Sequence, residues 1–274
     1  MSKKAGPLFY IFLTGFLIVV LFPFLWQFVT ALKPPGELFG DSAFKLPQNP
    51  TFENFEKVFT QRPFVTYLVN STIVAGATTL YSVFIAAIAA YAIARLKFRG
   101  KSIILGVVLA VSMFPQIATI SPIFLFMQTF GLTNTYLGLI IPYTTFALPL
   151  ALWNLTTFFR KIPFDLEEAA KMDGASTMQA FWKVILPLAV PGTFTTAILV
   201  FIASFNEFLF ALTINTEESM RTVPVGIALF RGQYSIPWAE IAAASVIVTI
   251  PLVIMVLIFQ RRIVAGLTSG AVKE

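Results

Sequence analysis

The chain has 274 residues, of which 57% are hydrophobic and only 12% are charged, and its mean hydropathy is +0.83. Soluble globular domains carry roughly 25% charged residues, so this composition predicts an integral membrane protein. The chain contains neither cysteine nor histidine, which excludes disulfides and removes the commonest general base and metal ligand. We therefore predict no catalytic and no metal-binding residue, and we interpret the net charge of +6 as basic cytoplasmic loops and not as a nucleic-acid-binding surface.

Long windows without charged residues predict six membrane-spanning helices, because about 20 apolar residues are needed to cross the hydrocarbon core. The window at 102–159 is long enough for two spans, and the polar stretch at 128–136 divides it. The expected spans lie near residues 8–32, 69–94, 103–127, 136–159, 193–214 and 240–260. These expectations describe an all-α membrane protein in which residues 1–274 form a single transmembrane domain.

The distribution of basic residues predicts the orientation of these spans. Most of the 19 lysines and arginines fall on the cytoplasmic side if both termini are cytoplasmic, which agrees with the positive-inside rule. The first span follows Lys3 and Lys4, but its apolar run is too long for a signal peptide, and we expect it to be retained. Prolines in the third and fourth spans are compatible with bends or with straight helices.

The loop at 160–190, between the fourth and fifth spans, is predicted to be cytoplasmic and carries signals for two short helices. Acidic residues follow Pro163, where they stabilise the positive end of a helix dipole. Gly174 suits a helix C-cap with a positive φ angle, and Ser176 suits the N-cap of a second helix that is expected to end before Pro187. The loop is therefore expected to form a helix, a tight turn and a second helix.

The sequence of this loop resembles the EAA loop of ABC importer permeases. That family pattern is E-A-A, three residues, G, nine residues and I-x-L-P; here Glu168 begins it, Gly174 holds the glycine position and Val184 replaces the isoleucine. The resemblance implies a MetI-like permease fold in which this loop is a coupling helix that docks on a cytoplasmic ATPase subunit. The residues that the resemblance assigns to ATPase coupling are Glu168, Ala169, Ala170, Asp173, Gly174, Leu186 and Pro187.

The ATPase itself is not expected on this chain. Gly100, Lys101 and Ser102 resemble the end of a phosphate-binding loop, G-x-x-x-x-G-K-[ST], but Arg95 stands where its first glycine is required. We predict no cofactor on this chain, with ATP and magnesium bound by a separate partner chain. The protein is accordingly expected to be a transport subunit and not an enzyme.

Two further stretches resemble the maltose- and trehalose-type sugar permeases, in particular the G-type partner of a permease pair. They are the C-terminal tail at 261–274 with the two residues before it, and the run F-N-E-F-L-F at 205–210. The resemblance implies a multi-pass protein of the cytoplasmic membrane of a bacterium or archaeon. Its implied partners are a homologous second permease, a dimer of ATP-binding subunits, an extracytoplasmic sugar-binding protein and the sugar, a disaccharide or oligosaccharide.

Two other functions stay open at this point. An importer for a non-sugar solute such as glycerol phosphate would have a related permease. An ion-coupled secondary transporter would need intramembrane acidic residues, and here only Glu207 and Glu240 approach a span. The identity of the sugar is also open.

Polar side chains within the spans mark a candidate substrate path, because sugars need hydrogen-bonding partners that are costly to expose to lipid. The candidate path residues are Asn70, Gln116, Asn154, Asn206 and Glu207. In the outer loop at 215–239, Tyr234 and Trp238 are candidates for an aromatic contact with the binding protein. A loop that packs only on the ends of its own helices is equally compatible with that sequence.

Overall fold

The computed structural model describes residues 6–230 and 236–268, and these ranges contain helices and loops but no strand. The helices are α1 Pro7–Ala31, α2 Glu53–Thr60, α3 Phe64–Arg95, α4 Lys101–Ser112, α5 Gln116–Thr129, α6 Tyr136–Lys161, α7 Asp165–Met172, α8 Thr177–Leu188, α9 Val190–Phe205, α10 Leu209–Ile214, α11 Val223–Ala228 and α12 Trp238–Thr268. Short 3-10 turns lie at Pro35–Glu37, Gly40–Ser42 and Glu218–Met220. The all-α class predicted from the sequence is confirmed.

Up to six crossings can be traced within the described ranges, as the hydropathy predicts. α1, α3, α6 and the part Trp238–Gln260 of α12 are each long and apolar enough to cross a membrane. Two bent pairs of helices are further candidates: α4 and α5 meet at an angle of 92°, and α8 and α9 meet at 76°. The count is six when each bent pair is taken as one span.

The break between α4 and α5 replaces the continuous helix expected at 103–127. α4 ends at Ser112, and α5 starts at Gln116, directly after Pro115. Proline has no N–H to donate and disfavours a helical conformation in the residue before it, so the ladder of hydrogen bonds stops here. Pro122 by contrast lies inside α5, where the helix continues through it.

The fifth predicted span contains a break of its own, after α9, at a place where the sequence has no proline or glycine. Residues 206–208 divide the helix expected at 193–214 into α9 and α10. The carboxylate of Glu207 caps α10 by accepting hydrogen bonds from the Phe210 N–H at 2.9 Å and the Ala211 N–H at 3.2 Å. A side chain that satisfies the free backbone donors stabilises a break inside an apolar span.

The ends of the helices differ from the ends of the apolar windows. α12 continues to Thr268, so the first part of the predicted tail at 261–274 is helical. Similarly, α3 begins at Phe64 and not near residue 69. Charged and polar residues end a hydropathy signal, but many of them remain good helix formers, so the helix runs on.

The chain divides into two compact units, which we describe separately: Met1–Phe64 with Ile227–Pro251, and Val65–Gly226 with Leu252–Glu274. The first unit contains α1 and α2, and the second contains α4 to α10. That residues 1–274 form a single transmembrane domain stays a prediction.

In the first unit, polar contacts hold the long loop that follows α1. The buried Asn54 amide donates to the carbonyl oxygens of Ala31 and Lys33, both at 2.8 Å, and so satisfies acceptors that a helix C-terminus leaves free. Glu240, at the start of α12, pairs with Arg62 at 2.9 Å. Because Glu240 serves an ion pair, it offers little support for an ion-coupled pathway.

In the second unit, a buried core joins α3, α6, α8 and α9. Alanines on α3 and α6 allow close approach of the helices, as is typical of membrane proteins, and aromatic side chains fill the space beside them. The core includes Ala86, Ala90, Tyr91, Ala151, Leu155, Phe159, Phe181, Ile185 and Val200. Since Phe181 and Ile185 belong to α8, this core fixes the 160–190 loop on the ends of the spans.

Candidate functional site

The 160–190 loop forms the predicted helix, turn and helix. Gly174 has a φ of 85°, its N–H donates to the Lys171 carbonyl at 3.0 Å, and the Ala175 N–H donates to the Ala170 carbonyl at 2.9 Å. This pair of hydrogen bonds is the Schellman arrangement, in which the glycine position takes a positive φ. The backbone conformation predicted for Gly174 is confirmed.

α8 begins with the predicted cap. The Ser176 hydroxyl accepts from the Gln179 N–H at 3.3 Å, and the Gln179 side-chain oxygen accepts from the Ser176 N–H at 2.8 Å, so the two form a capping box. The sequence predicts that α8 ends before Pro187, and this prediction is wrong. α8 runs to Leu188 through a π-helical stretch at Phe181–Ile185. The wider turn relieves the clash between the proline ring and the preceding turn of the helix.

The residues that the family resemblance assigns to coupling lie at the surface of this loop. Glu168, Ala169, Asp173 and Gly174 are exposed, and Met172 beside them has 88% of its surface accessible. The other three assigned residues are half-buried or exposed: Ala170, Leu186 and Pro187. A β-carbon added at Gly174 would meet no atom within 4 Å, so a side chain there is disfavoured by the φ angle and not by crowding.

A buried polar network fixes α7 to the end of α3. Glu167 is only 4% exposed, and its Oε1 accepts from the Tyr91 hydroxyl at 2.9 Å and from the Lys171 ammonium at 2.8 Å. Arg95, one turn further along α3, donates from Nη2 to the Ile162 carbonyl oxygen. The sequence pattern does not reveal this network, because Tyr91 and Glu167 are 76 positions apart.

Asn70, a candidate path residue, has its side chain engaged on both sides. Its Nδ2 donates to the carbonyls of Ser219 at 2.8 Å and Arg221 at 2.9 Å, and its Oδ1 accepts from the Tyr136 hydroxyl at 2.8 Å. The residue is buried and connects α3 and α6 to the loop that follows α10. This geometry favours a structural role, and a role of Asn70 in the substrate path stays a prediction.

Two other candidate path residues, Gln116 and Glu207, are brought together. They line a cavity of about 100 Å³ with Tyr143 of α6 and Ser204 of α9, and we name it the broken-span cavity. Gln116 follows the break between α4 and α5, and Glu207 lies in the break between α9 and α10. The sequence does not single out Tyr143 or Ser204, because hydroxyl residues within spans commonly bond to their own helix.

The remaining candidates lie elsewhere. Asn154 is half-buried about 16 Å further along α6 than Tyr143, and the exposed Asn206 donates to a carbonyl of its own helix at 2.8 Å. Trp238 is 49% exposed at the start of α12, and Tyr234 lies outside the described residues. Within the described part of the chain, no group of three or more acidic, cysteine or histidine side chains is placed to hold a metal ion.

Comparison with known proteins agrees with the family resemblance. Residues 82–269 match the family described as binding-protein-dependent transport system inner membrane component. The chain is 49% identical over 255 residues to the trehalose transport system permease protein SugB of Mycobacterium tuberculosis, covering 92% of each chain. It is 48% identical over 259 residues to the trehalose/maltose transport system permease protein MalG of Thermococcus litoralis, covering 93% of this chain and 92% of that one.

The fold has a close counterpart among solved structures. It resembles a chain in the crystal structure of a bacterial ABC transporter involved in the import of the acidic polysaccharide alginate, with a TM-score of 0.80 and 23% sequence identity. The match covers 95% of this chain and 99% of that chain. At this level of identity the likeness establishes the fold alone.

Proposed function

The chain belongs to the family of binding-protein-dependent transport system inner membrane components, and from this premise we propose that it forms half of the translocation path for a trehalose- or maltose-type sugar. It is a permease subunit of an ABC importer, a multi-pass membrane protein, and ATP hydrolysis belongs to a separate chain. The names of two relatives, 49% and 48% identical, support this sugar class. Both named sugars are neutral glucose disaccharides that present only hydroxyl and ether oxygens for recognition.

Coupling to a separate ATPase is supported by one observation above all. The exposed turn of the 160–190 loop is fixed to α3 by the buried hydrogen bond between Glu167 and Tyr91, which we name the anchor. Glu168 and Gly174 face outward on a turn that two backbone hydrogen bonds make rigid, while Glu167 beneath them is bonded to Tyr91. A hairpin that only rests on the membrane surface requires neither feature. Glu168 would pair with a basic or donor group of the ATPase in a partly desolvated contact, which makes it sensitive to truncation.

In the proposed cycle, ATP binding closes the ATPase dimer, and the 160–190 loop moves with the surface on which it is docked. The bond between Glu167 and Tyr91 passes this movement to α3. The cavity between this chain and a homologous second permease then opens outward and receives the sugar from an extracytoplasmic binding protein. ATP and magnesium bind to the ATPase, where ATP is hydrolysed, and not to this chain.

The cycle requires that both termini and the 160–190 loop are cytoplasmic. The parent chain has no cysteine, so single cysteines report their side of the membrane without background. We expect Ser176→Cys to be labelled by an impermeant maleimide only from the inside, and Ser219→Cys, in the loop that follows α10, only from the outside. The reverse pattern would contradict the orientation.

The function is tested by reconstituting the complete complex, with the second permease, ATPase and binding protein, in proteoliposomes. Uptake of labelled trehalose or maltose should require ATP on the ATPase side together with the binding protein. Uptake of glycerol phosphate in place of sugar would support the non-sugar importer. Sugar uptake driven by a proton gradient without ATP would refute the importer and support a secondary transporter.

A further inference from the structure

Two interrupted crossings of the second unit meet at the broken-span cavity. Gln116 starts α5 directly after the 92° bend, and Glu207 lies between α9 and α10. A break inside an apolar span leaves backbone groups without partners, and membrane proteins tolerate such breaks where the backbone lines a cavity within the protein. Discontinuous helices that converge on one cavity therefore indicate a binding site.

The position of the cavity along α6 agrees with this interpretation. Its lining residues on α6 run from Tyr143 to Leu150, which is about 10 to 21 Å from the helix start at Tyr136. α6 has 26 residues and is therefore about 39 Å long. The cavity thus lies near the middle of a membrane-spanning helix, where transporters of solutes place their binding sites.

The polar groups of the cavity can bind hydroxyl groups. Tyr143 is 4% exposed, interacts electrostatically with Glu207, and its hydroxyl makes no hydrogen bond of ordinary geometry within the described residues. Ser204 is 7% exposed, and the Gln116 amide offers both donors and acceptors. Glu207 caps α10 with both carboxylate oxygens, but each oxygen keeps a further lone pair for another donor.

The apolar groups of the cavity suit the ring of a sugar. Phe146 and Phe210 both line it, with ring centroids 5.2 Å apart and planes inclined by 31°. A pyranose ring has apolar C–H faces, which pack on aromatic rings while its hydroxyl groups bond at the edge. A bound water needs about 10–15 Å³, so a cavity of about 100 Å³ accommodates a group several times larger. Leu150 and Ala203 on the rim are exposed, which leaves one side open.

We propose that Gln116, Tyr143, Ser204 and Glu207 form a subsite that hydrogen-bonds the hydroxyl groups of one pyranose ring of the transported sugar, with a C–H face of the ring against Phe146. The inference rests on the proposed function, because it takes a sugar as the solute. The rest of the disaccharide extends through the open side of the cavity. This chain therefore contributes to the choice of sugar after the binding protein has released it.

The test measures uptake kinetics of the complete complex in proteoliposomes with trehalose and its monodeoxy analogues. Tyr143→Phe and Ser204→Ala each remove one hydroxyl group and leave the shape of the side chain nearly unchanged. Each should lower kcat/KM for trehalose about three- to tenfold, the usual effect of one lost neutral hydrogen bond. In addition, each variant should no longer discriminate against the one analogue that lacks the matching sugar hydroxyl. Discrimination by the binding protein is the same in all variants and cancels in the comparison.

Tyr81→Phe is the matched control, since Tyr81 is an exposed tyrosine of α3 that does not line the cavity. It should keep the uptake rate and the discrimination of the parent. Equal losses for trehalose and for every analogue in both cavity variants would show a merely structural role and overturn the subsite, as would parent-like kinetics. Sugar uptake by the parent with unaltered discrimination in the variants would refute the subsite alone. Absence of any sugar uptake by the parent would refute the proposed function and the subsite together.

Discussion

The 160–190 loop and the broken-span cavity differ in the exposure of their polar side chains. On the loop, Glu168 is exposed on a rigid turn, and the one buried carboxylate, Glu167, is paired. In the cavity, Tyr143 and Ser204 are buried within apolar spans and line a common space. A protein partner needs an exposed surface of fixed shape, whereas a neutral sugar needs hydroxyl partners shielded from lipid. Variants in the two regions should therefore have different effects. Loop variants should lose coupling to ATP hydrolysis, and cavity variants should change the preference for sugars.

The largest effect is expected on the exposed side of the loop. Gly174→Val forces a β-branched residue into a φ of 85°, at a cost of about 1–2 kcal/mol, and shifts α7 away from the surface on which it docks. Glu168→Lys reverses the charge of the proposed contact. Both variants should insert into the membrane but abolish sugar uptake and weaken retention of the ATPase, as measured by pull-down of the complex and by ATP hydrolysis with the loaded binding protein.

Matched controls exist for both changes. Gly131 has a φ of 64° and is also open to a β-carbon, but it lies in the turn between α5 and α6. Gly131→Val should introduce similar backbone strain without loss of the ATPase. Glu217→Lys, on the exposed loop after α10, should likewise retain the ATPase. Normal uptake in both loop variants would refute the coupling role of the loop.

The difference between the loop and the cavity also explains which features of the structure can be predicted from the sequence. Gly174 and Ser176 act through neighbours within a few positions, so the turn and the cap of α8 are recognisable from residue types alone. The break at 206–208 is not, because a hydropathy window records one apolar run and the cap supplied by Glu207 depends on geometry. Gln116 and Glu207 stand out in the sequence as polar residues within spans, but their shared cavity forms only when separate helices pack. Spans, local turns and single polar residues within spans can therefore be predicted, while the grouping of residues from separate spans cannot.

The next effect concerns the anchor beneath the exposed turn. Glu167→Ala removes the carboxylate that accepts from the Tyr91 hydroxyl, which then has only the Thr177 carbonyl at 3.2 Å as acceptor. Loss of a hydrogen bond to a charged group costs about 1.5–3 kcal/mol. The ATPase should still bind, but the movement of α7 should reach α3 less completely. We expect a lower Tm of the purified complex and more ATP hydrolysed per sugar imported.

Lys171→Ala is the control for the anchor. Lys171 contacts the same carboxylate at 2.8 Å; its own side chain is 43% exposed, whereas that of Glu167 is 5% exposed. Removing Lys171 takes one partner from a buried carboxylate, so Tm should fall, but the Tyr91–Glu167 bond is kept and the ratio of ATP to sugar should stay that of the parent. If both variants raise this ratio alike, the Tyr91–Glu167 bond does not transmit the movement.

A smaller effect is expected at Asn70, which does not line the broken-span cavity: its variant should lose stability without a change in sugar preference. Asn70→Ala removes a buried amide and leaves two carbonyls and the Tyr136 hydroxyl without a partner, so stability should fall by about 1–3 kcal/mol. Discrimination among sugar analogues should stay that of the parent. Thr72→Val, which alters an exposed hydroxyl of the same helix, should change neither. A change in sugar preference without loss of Tm would instead place Asn70 in the substrate path.

The smallest effect is expected at the start of α12, where Trp238 is a candidate contact for the binding protein. Trp238 is 49% exposed, and Trp153 of α6 offers a control of equal size that is 50% exposed. Tryptophan is enriched among the interface residues whose truncation costs more than about 1 kcal/mol, and that cost corresponds to about a fivefold change in affinity. Trp238→Ala should therefore raise the concentration of binding protein that half-maximally stimulates ATP hydrolysis by about fivefold, with basal hydrolysis unchanged, because the loop that docks on the ATPase is untouched. Trp153→Ala should leave that concentration as in the parent. A similar response from both variants would mean that the binding protein does not rest on Trp238, and that this end of α12 packs only against the chain itself.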